Sequence, residues 1–148
     1  MRNNPKMKLA KDPSTSAEVL EMLSEDIDFH VRWDVARNPS TSAAVLDRLS
    51  GDAEYRIRRD IAYHSNTSES TLEKLSEDPK WIVRHYVAEN MNTPISVLEK
   101  LRLDEEEYVR KSADANLSIR WFAANLRCAL CLSTDFNVRQ ENKWSTAF

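Results

Sequence analysis

The residues of this chain whose types and spacing can do chemistry are few: three histidines, two cysteines, and aspartates and arginines that recur at even intervals. His30, His64 and His85 invite an acid–base or metal reading. None of them has a second histidine or a cysteine at helical spacing beside it, so a zinc or iron site lacks its constellation. Cys128 and Cys131 lie three apart, which puts both thiols on one helical face. There they can pack as small hydrophobes, pair between two chains or supply half a metal site; the apolar surroundings favour packing. The many serines and threonines sit in "STS" and "NTS" segments, where helix capping accounts for them. No histidine or aspartate recurs where it would activate one particular hydroxyl. No catalytic residue is therefore assigned, no metal site is expected, and no cofactor.

Two columns remain, Asp26, Asp52, Asp78 and Asp104, and Arg32, Arg58, Arg84 and Arg110. They resemble a phosphate-binding array. Residues that recur unchanged along a chain, however, touch other repeats rather than one unique ligand. The columns read as caps and ion pairs between repeats.

The interval that relates them is 26 residues. "DPSTSAEVLEMLSED" (12–26) and "NPSTSAAVLDRLSGD" (38–52) share ten of fifteen letters at that offset. The same step relates Ala10, Ala36, Ala62 and Ala88, then Thr15, Thr41, Thr67 and Thr93, then Leu20, Leu46, Leu72 and Leu98. It also relates Leu23, Leu49, Leu75 and Leu101, and Val31, Ile57, Val83 and Val109. Four repeats cover about residues 9–34, 35–60, 61–86 and 87–112. A fixed period of this length marks a stacked helical solenoid, because one unit cannot bury its own apolar face.

Each unit reads as two short helices. In the first, Thr15 or Ser16 is the N-cap, Thr15 and Glu18 have capping-box spacing, and Val19, Leu20 and Leu23 share a face. In the second, Asp28 caps, Phe29, Val31 and Val35 form the packed face, and Asn38-Pro39 ends the helix. Helices of roughly ten residues are not stable alone in water, so each unit depends on its neighbours. The pattern fades after Asn116, and Ser118 to Leu132 reads as a capping helix that completes one domain over residues 1–132. Ser133 to Phe148 reads as a polar tail that either frays or docks Trp144 and Phe148 on the last helix.

Bulk composition narrows the function classes. With 41% hydrophobic and 30% charged residues the chain has the balance of a globular domain. A net charge of −3 gives no global attraction to nucleic acid or anionic membrane. One glycine in 148 residues leaves no phosphate-binding loop or dinucleotide fingerprint. No stretch approaches the roughly 18 apolar residues that span a bilayer, and the start "MRNNPKMKLAKDP" has no apolar signal core. A cytoplasmic protein without a membrane partner is expected, its cysteines reduced.

The unit "VARNPSTSAAVLDRLSGDAEYRIRRD" (35–60), with its Asn-Pro-x-Thr turn, spaced leucines, Asp and Val/Ile-Arg pair, resembles the leucine-rich repeat variant of bacterial proteins. More distantly it is similar to HEAT repeats. The resemblance covers about residues 9–117 and implies an all-α, right-handed α-solenoid of four to five two-helix repeats, with one of the two helices sometimes 3₁₀. His64-Ser65 and Asn90-Met91 depart from Asn-Pro at turns, where the change is tolerated. Some relatives of this repeat carry an iron–sulfur module that precedes the repeats and needs four ligands; Cys128 and Cys131 are two, and follow them.

The columns that vary mark the candidate surface. On the second helices, one column runs Trp33, Arg59, His85, Lys111, a neighbour Asp34, Asp60, Tyr86, Ser112, and a third Arg37, Tyr63, Glu89, Ala115. Stacked at about 8–10 Å, these side chains form one strip. Trp33, Arg37, Arg59, Tyr63, His85, Tyr86 and Lys111 are the candidate partner-binding residues, of types enriched at protein interfaces. The expected function is a non-catalytic scaffold for a protein or peptide partner. The alternative is a nucleic-acid binder in which Arg56, Arg58, Arg59, Arg84, His85, Lys111 and Arg120 follow phosphates, as on the face used by HEAT-like DNA glycosylases. Asp34, Asp60 and Glu89 interrupt that wall, and the charge balance favours a protein partner.

Overall fold

The computed structural model describes residues 4–144, with side chains as far as residue 126. Every element among them is an α-helix: α1 (Pro5–Lys11), α2 (Ala17–Leu23), α3 (Phe29–Arg37), α4 (Ala43–Leu49), α5 (Tyr55–Tyr63), α6 (Glu69–Leu75), α7 (Trp81–Glu89), α8 (Ile95–Leu101) and α9 (Glu107–Trp144). The chain forms two units, Met1–Asn116 and Leu117–Phe148.

In the first unit the fold is an α-solenoid. The odd-numbered helices α1, α3, α5 and α7 lie side by side in chain order, and α2, α4 and α6 each pack on the odd helices before and after them. The repeating leucines, valines and alanines form the core. Leu20, Leu46, Leu72, Leu98, Val31, Ile57, Val83, Val109 and the alanine column are fully buried. The first helix of each repeat is a regular α-helix of seven residues, not 3₁₀. The stack also begins earlier than residue 9. Helix α1 occupies the place of a second helix, with Asn4 as its cap and Pro5 in its first turn, and packs on α3.

Three polar ladders run through the stack. Nε of Arg32, Arg58 and Arg84 donates to the carboxylates of Asp52, Asp78 and Asp104 in the next repeat at 2.7, 2.6 and 2.7 Å. Nη1 of the same three arginines donates to the carbonyls of Asp26, Asp52 and Asp78 in their own repeat. Each aspartate also caps the turn after it, accepting the N–H two residues on. Lys6 fills the arginine register at the start, 2.6 Å from Asp26.

The second ladder is the buried side-chain amides. Asn38 Nδ2 donates to the carbonyls of Ala10 and Asp12, Asn90 Nδ2 to Ala62 and His64, and Asn116 Nδ2 to Ala88 and Asn90. His64 replaces asparagine by an imidazole of similar reach. Its Nδ1 accepts from the Asn66 N–H at 3.0 Å, so hydrogen sits on Nε2 and points at the Asn38 carbonyl 2.9 Å away. The third ladder is threonine, and it decides between the two expected caps, Thr15 and Ser16. Thr15, Thr41, Thr67 and Thr93 donate back to the carbonyls of Leu9, Val35, Ile61 and Val87, which also accept the N–H of the residue that ends each helix. The N-caps are the next residues, Ser16, Ser42 and Ser68, and then Pro94.

The repeat pattern stops at Asn116 because the turn does not form. Ile119 stands at the register of Thr15, Thr41, Thr67 and Thr93, so the hydroxyl that returns to each earlier helix is absent, and α9 continues. Asn116 Oδ1 is left buried without a hydrogen bond. The expected capping helix 118–132 is thus part of α9, which also takes in the expected tail as far as Trp144. Cys128, Cys131 and the docking of Trp144 and Phe148 concern side chains outside the described residues.

Two predictions follow from the packing and the ladders. Leu46→Ala, at a site with 0% exposure, lowers unfolding free energy by about 2–5 kcal/mol in urea titrations. Arg58→Met strands Asp78, whose side chain is 4% exposed, and costs about 3–5 kcal/mol. Acid acts on the same ladder. Burial pushes the carboxyls of Asp52 and Asp104 up, but hydrogen bonds from Arg32 and Arg84, the turn N–H groups and nearby arginine charge hold both below the usual range. Their stabilisation is complete above about pH 4 and drains away as pH falls through the lowered folded-state values, which a pH series of the same titrations measures.

Candidate partner-binding groove

Helices α3, α5 and α7 leave a groove of about 890 Å³ along their outer side. Trp33, Arg37, Arg59, Tyr63 and Tyr86 of the expected strip line it, together with Asp60 and Glu89. The nine-residue second helices determine this arrangement. Their buried positions 31, 35, 57, 61, 83 and 87 face the core, which turns the columns that start at 33, 34 and 37 toward the groove.

Asp60 is the hub of the groove. Trp33 Nε1 donates to its Oδ2 at 2.6 Å, Arg59 Nε donates to its Oδ1 at 2.7 Å, and Arg37 Nε stands 3.7 Å from Oδ2. The Arg37 guanidinium also lies 5.3 Å from the Trp33 ring centroid, and that of Arg59 lies 6.0 Å from Tyr86. Tyr63 and Tyr86 meet edge to face at 5.6 Å, with Tyr63 67% exposed at the rim. The result is an aromatic wall whose two arginines are already spent on an internal carboxylate. Trp33 is not a free anchor; it is half buried and fixed at its indole nitrogen.

His85 and Lys111 lie off the groove. His85 Nδ1 is 3.0 Å from the Ser112 hydroxyl, and its ring neighbours Trp81 and Tyr86. Lys111 pairs with Glu107 one helical turn away at 2.6 Å. The other histidines serve structure too, His64 in the amide ladder and His30 against the capping carboxylate of Asp28. Among the described residues no three or more His, Cys, Asp or Glu side chains are grouped to hold a metal ion. No helix among them is long and apolar enough to cross a membrane.

Asp60 and Glu89 are the residues that sequence reasoning set aside as interruptions of a basic wall. Their column positions were visible; that one of them would be the acceptor shared by Trp33 and Arg59 was not. Asp34, one repeat earlier, is 5% exposed and has Lys11 Nζ 3.6 Å away. Burial pushes its carboxyl up, against the pull of Lys11, Arg37 and His30.

No protein-family model matches the chain, and no curated protein matches it.

The hub and the rim respond differently to truncation. Asp60→Ala leaves the Trp33 N–H and two guanidinium groups without their acceptor and lowers stability by about 1–3 kcal/mol. Tyr63→Ala removes an exposed ring and stays within about 0.5 kcal/mol of the native chain. Denaturant titrations of the two variants, side by side, check the contrast.

Proposed function

We propose that this chain is a non-catalytic scaffold of the leucine-rich repeat variant type, which grips a protein or peptide partner in the groove of α3, α5 and α7. The observation that carries the reading is the combination of an aromatic wall, Trp33, Tyr63 and Tyr86, with charges that neutralise one another inside the groove. Rigid aromatic side chains on a preorganised wall give contact area at low entropic cost. A phosphate backbone needs unpaired cations. Here Arg59 and Arg37 face Asp60, Arg58 and Arg84 are held in the aspartate ladder, and Lys111 is paired with Glu107. A cytoplasmic setting agrees with such a role.

The two macromolecule classes separate by salt and by site. Capture from nuclease-treated cell extract retains a discrete protein that survives a rise from 50 to 200 mM salt (about fourfold), whereas binding through six or more phosphates would weaken by about a thousandfold or more. A Tyr63→Ala, Tyr86→Ala double variant that keeps its helical content loses that protein. Retention that needs nucleic acid, or that ignores both tyrosines, contradicts the reading.

A further inference from the structure

A second, smaller hollow of about 260 Å³ lies one repeat before the groove, lined by Lys11, Asp34, Arg37 and Asn38. Adding 26 to each number gives Arg37, Asp60, Tyr63 and His64, all of which line the larger groove. The two hollows are copies in register. What differs is the side chain that meets the aspartate. In the larger one, Trp33 lays its indole between the helices, gives its N–H to Asp60 at 2.6 Å and takes Arg37 over its face at 5.3 Å. In the smaller one the register-mate of Trp33 is Met7, which has no N–H to give. Trp33 itself precedes Asp34 where Arg59 precedes Asp60, so the second donor is missing as well.

Asp34 consequently keeps only the weaker of its partners. Lys11 stands 3.6 Å away, as Arg37 stands 3.7 Å from Asp60, while Asp34 Oδ2 is buried with no hydrogen bond. A buried acceptor beside an open hollow lacks the donor that its copy possesses.

The geometry points to this hollow as a subsite for an uncharged planar ring with an N–H edge, the indole of a tryptophan on the partner. The molecule contains its own template in the Trp33–Arg37–Asp60 clamp. Charge supports the choice. A cationic ligand would meet Lys11 and Arg37, an anionic one would meet Asp34, and a neutral aromatic ring offers its face to the cations and its N–H to the carboxylate. The subsite deepens the peptide-binding reading and rests on it for the identity of the natural ligand.

The test uses the full chain and a small probe, so it does not wait on a partner. N-acetyltryptophanamide, titrated against the isotope-labelled chain, shifts the backbone amides of Lys11, Asp34 and Asn38 saturably, with a Kd of about 1 mM. Its 1-methylindole analogue binds about tenfold more weakly, because it cannot donate to Asp34. Met7→Trp fills the hollow from within, abolishes the shifts and raises Tm by roughly 2–4 °C. An absent response in the native chain overturns the assignment. So does equal or tighter binding of the methylated analogue or of N-acetylargininamide, whatever happens to the variant. A native chain that ignores the probe yet still captures protein through Tyr63 and Tyr86 loses this subsite and keeps the wider reading; probe binding without any captured protein does the reverse.

Discussion

Arg32, Arg58 and Arg84, one on each of α3, α5 and α7, hold two repeats at once. One guanidinium nitrogen ties down the turn of its own repeat through an aspartate carbonyl, and another reaches the aspartate carboxylate of the next. That carboxylate in turn caps its own turn. The rest of the structure depends on this chained contact, because helices of seven and nine residues have no stability of their own. Apolar burial supplies most of the driving force, but leucine faces alone permit sliding. The arginine, asparagine and threonine ladders fix the register between neighbours and satisfy the polar groups that short helices leave behind.

The groove follows from the same register. Once the inward positions are fixed, the outer positions of α3, α5 and α7 are free to vary, and they carry Trp33, Arg59, Tyr63 and Tyr86 on one wall. Variation also decides which carboxylate of the wall finds a donor and which does not. Trp33 gives Asp60 its hydrogen-bond donor across a repeat boundary. Met7, at the equivalent position, has no donor to give, and Asp34 Oδ2 stays buried without a hydrogen bond. A repeat protein thus writes its surface by substitution against a constant frame.

The frame was legible in the sequence because its constraint is periodic. The 26-residue step names the leucine core, the Arg–Asp ladder and the columns of the outer wall without any geometry. What was not legible depends on contacts across space. Thr15 satisfies a local capping pattern, yet its hydroxyl goes to the carbonyl of Leu9, six residues back in the preceding helix. Helix α1 was hidden because Lys6 and Met7 keep the register while changing type from arginine and tryptophan. Asp60 read only as an interruption of a basic wall, since nothing in one dimension brings Trp33 and Arg59 to the same carboxylate. Ile119, by contrast, does announce that the turn fails, once the role of the threonine column is known.

The account's central claim is that the outer wall of the second helices is where this chain meets another protein. The most direct measurement places a photocrosslinking aromatic residue at Tyr63 in the living cell, with the same residue at Met22, exposed on a first helix, as reference. The account predicts a discrete protein adduct from position 63 and none from position 22. Adducts of equal yield from both positions, or nucleic acid attached at 63, would contradict it.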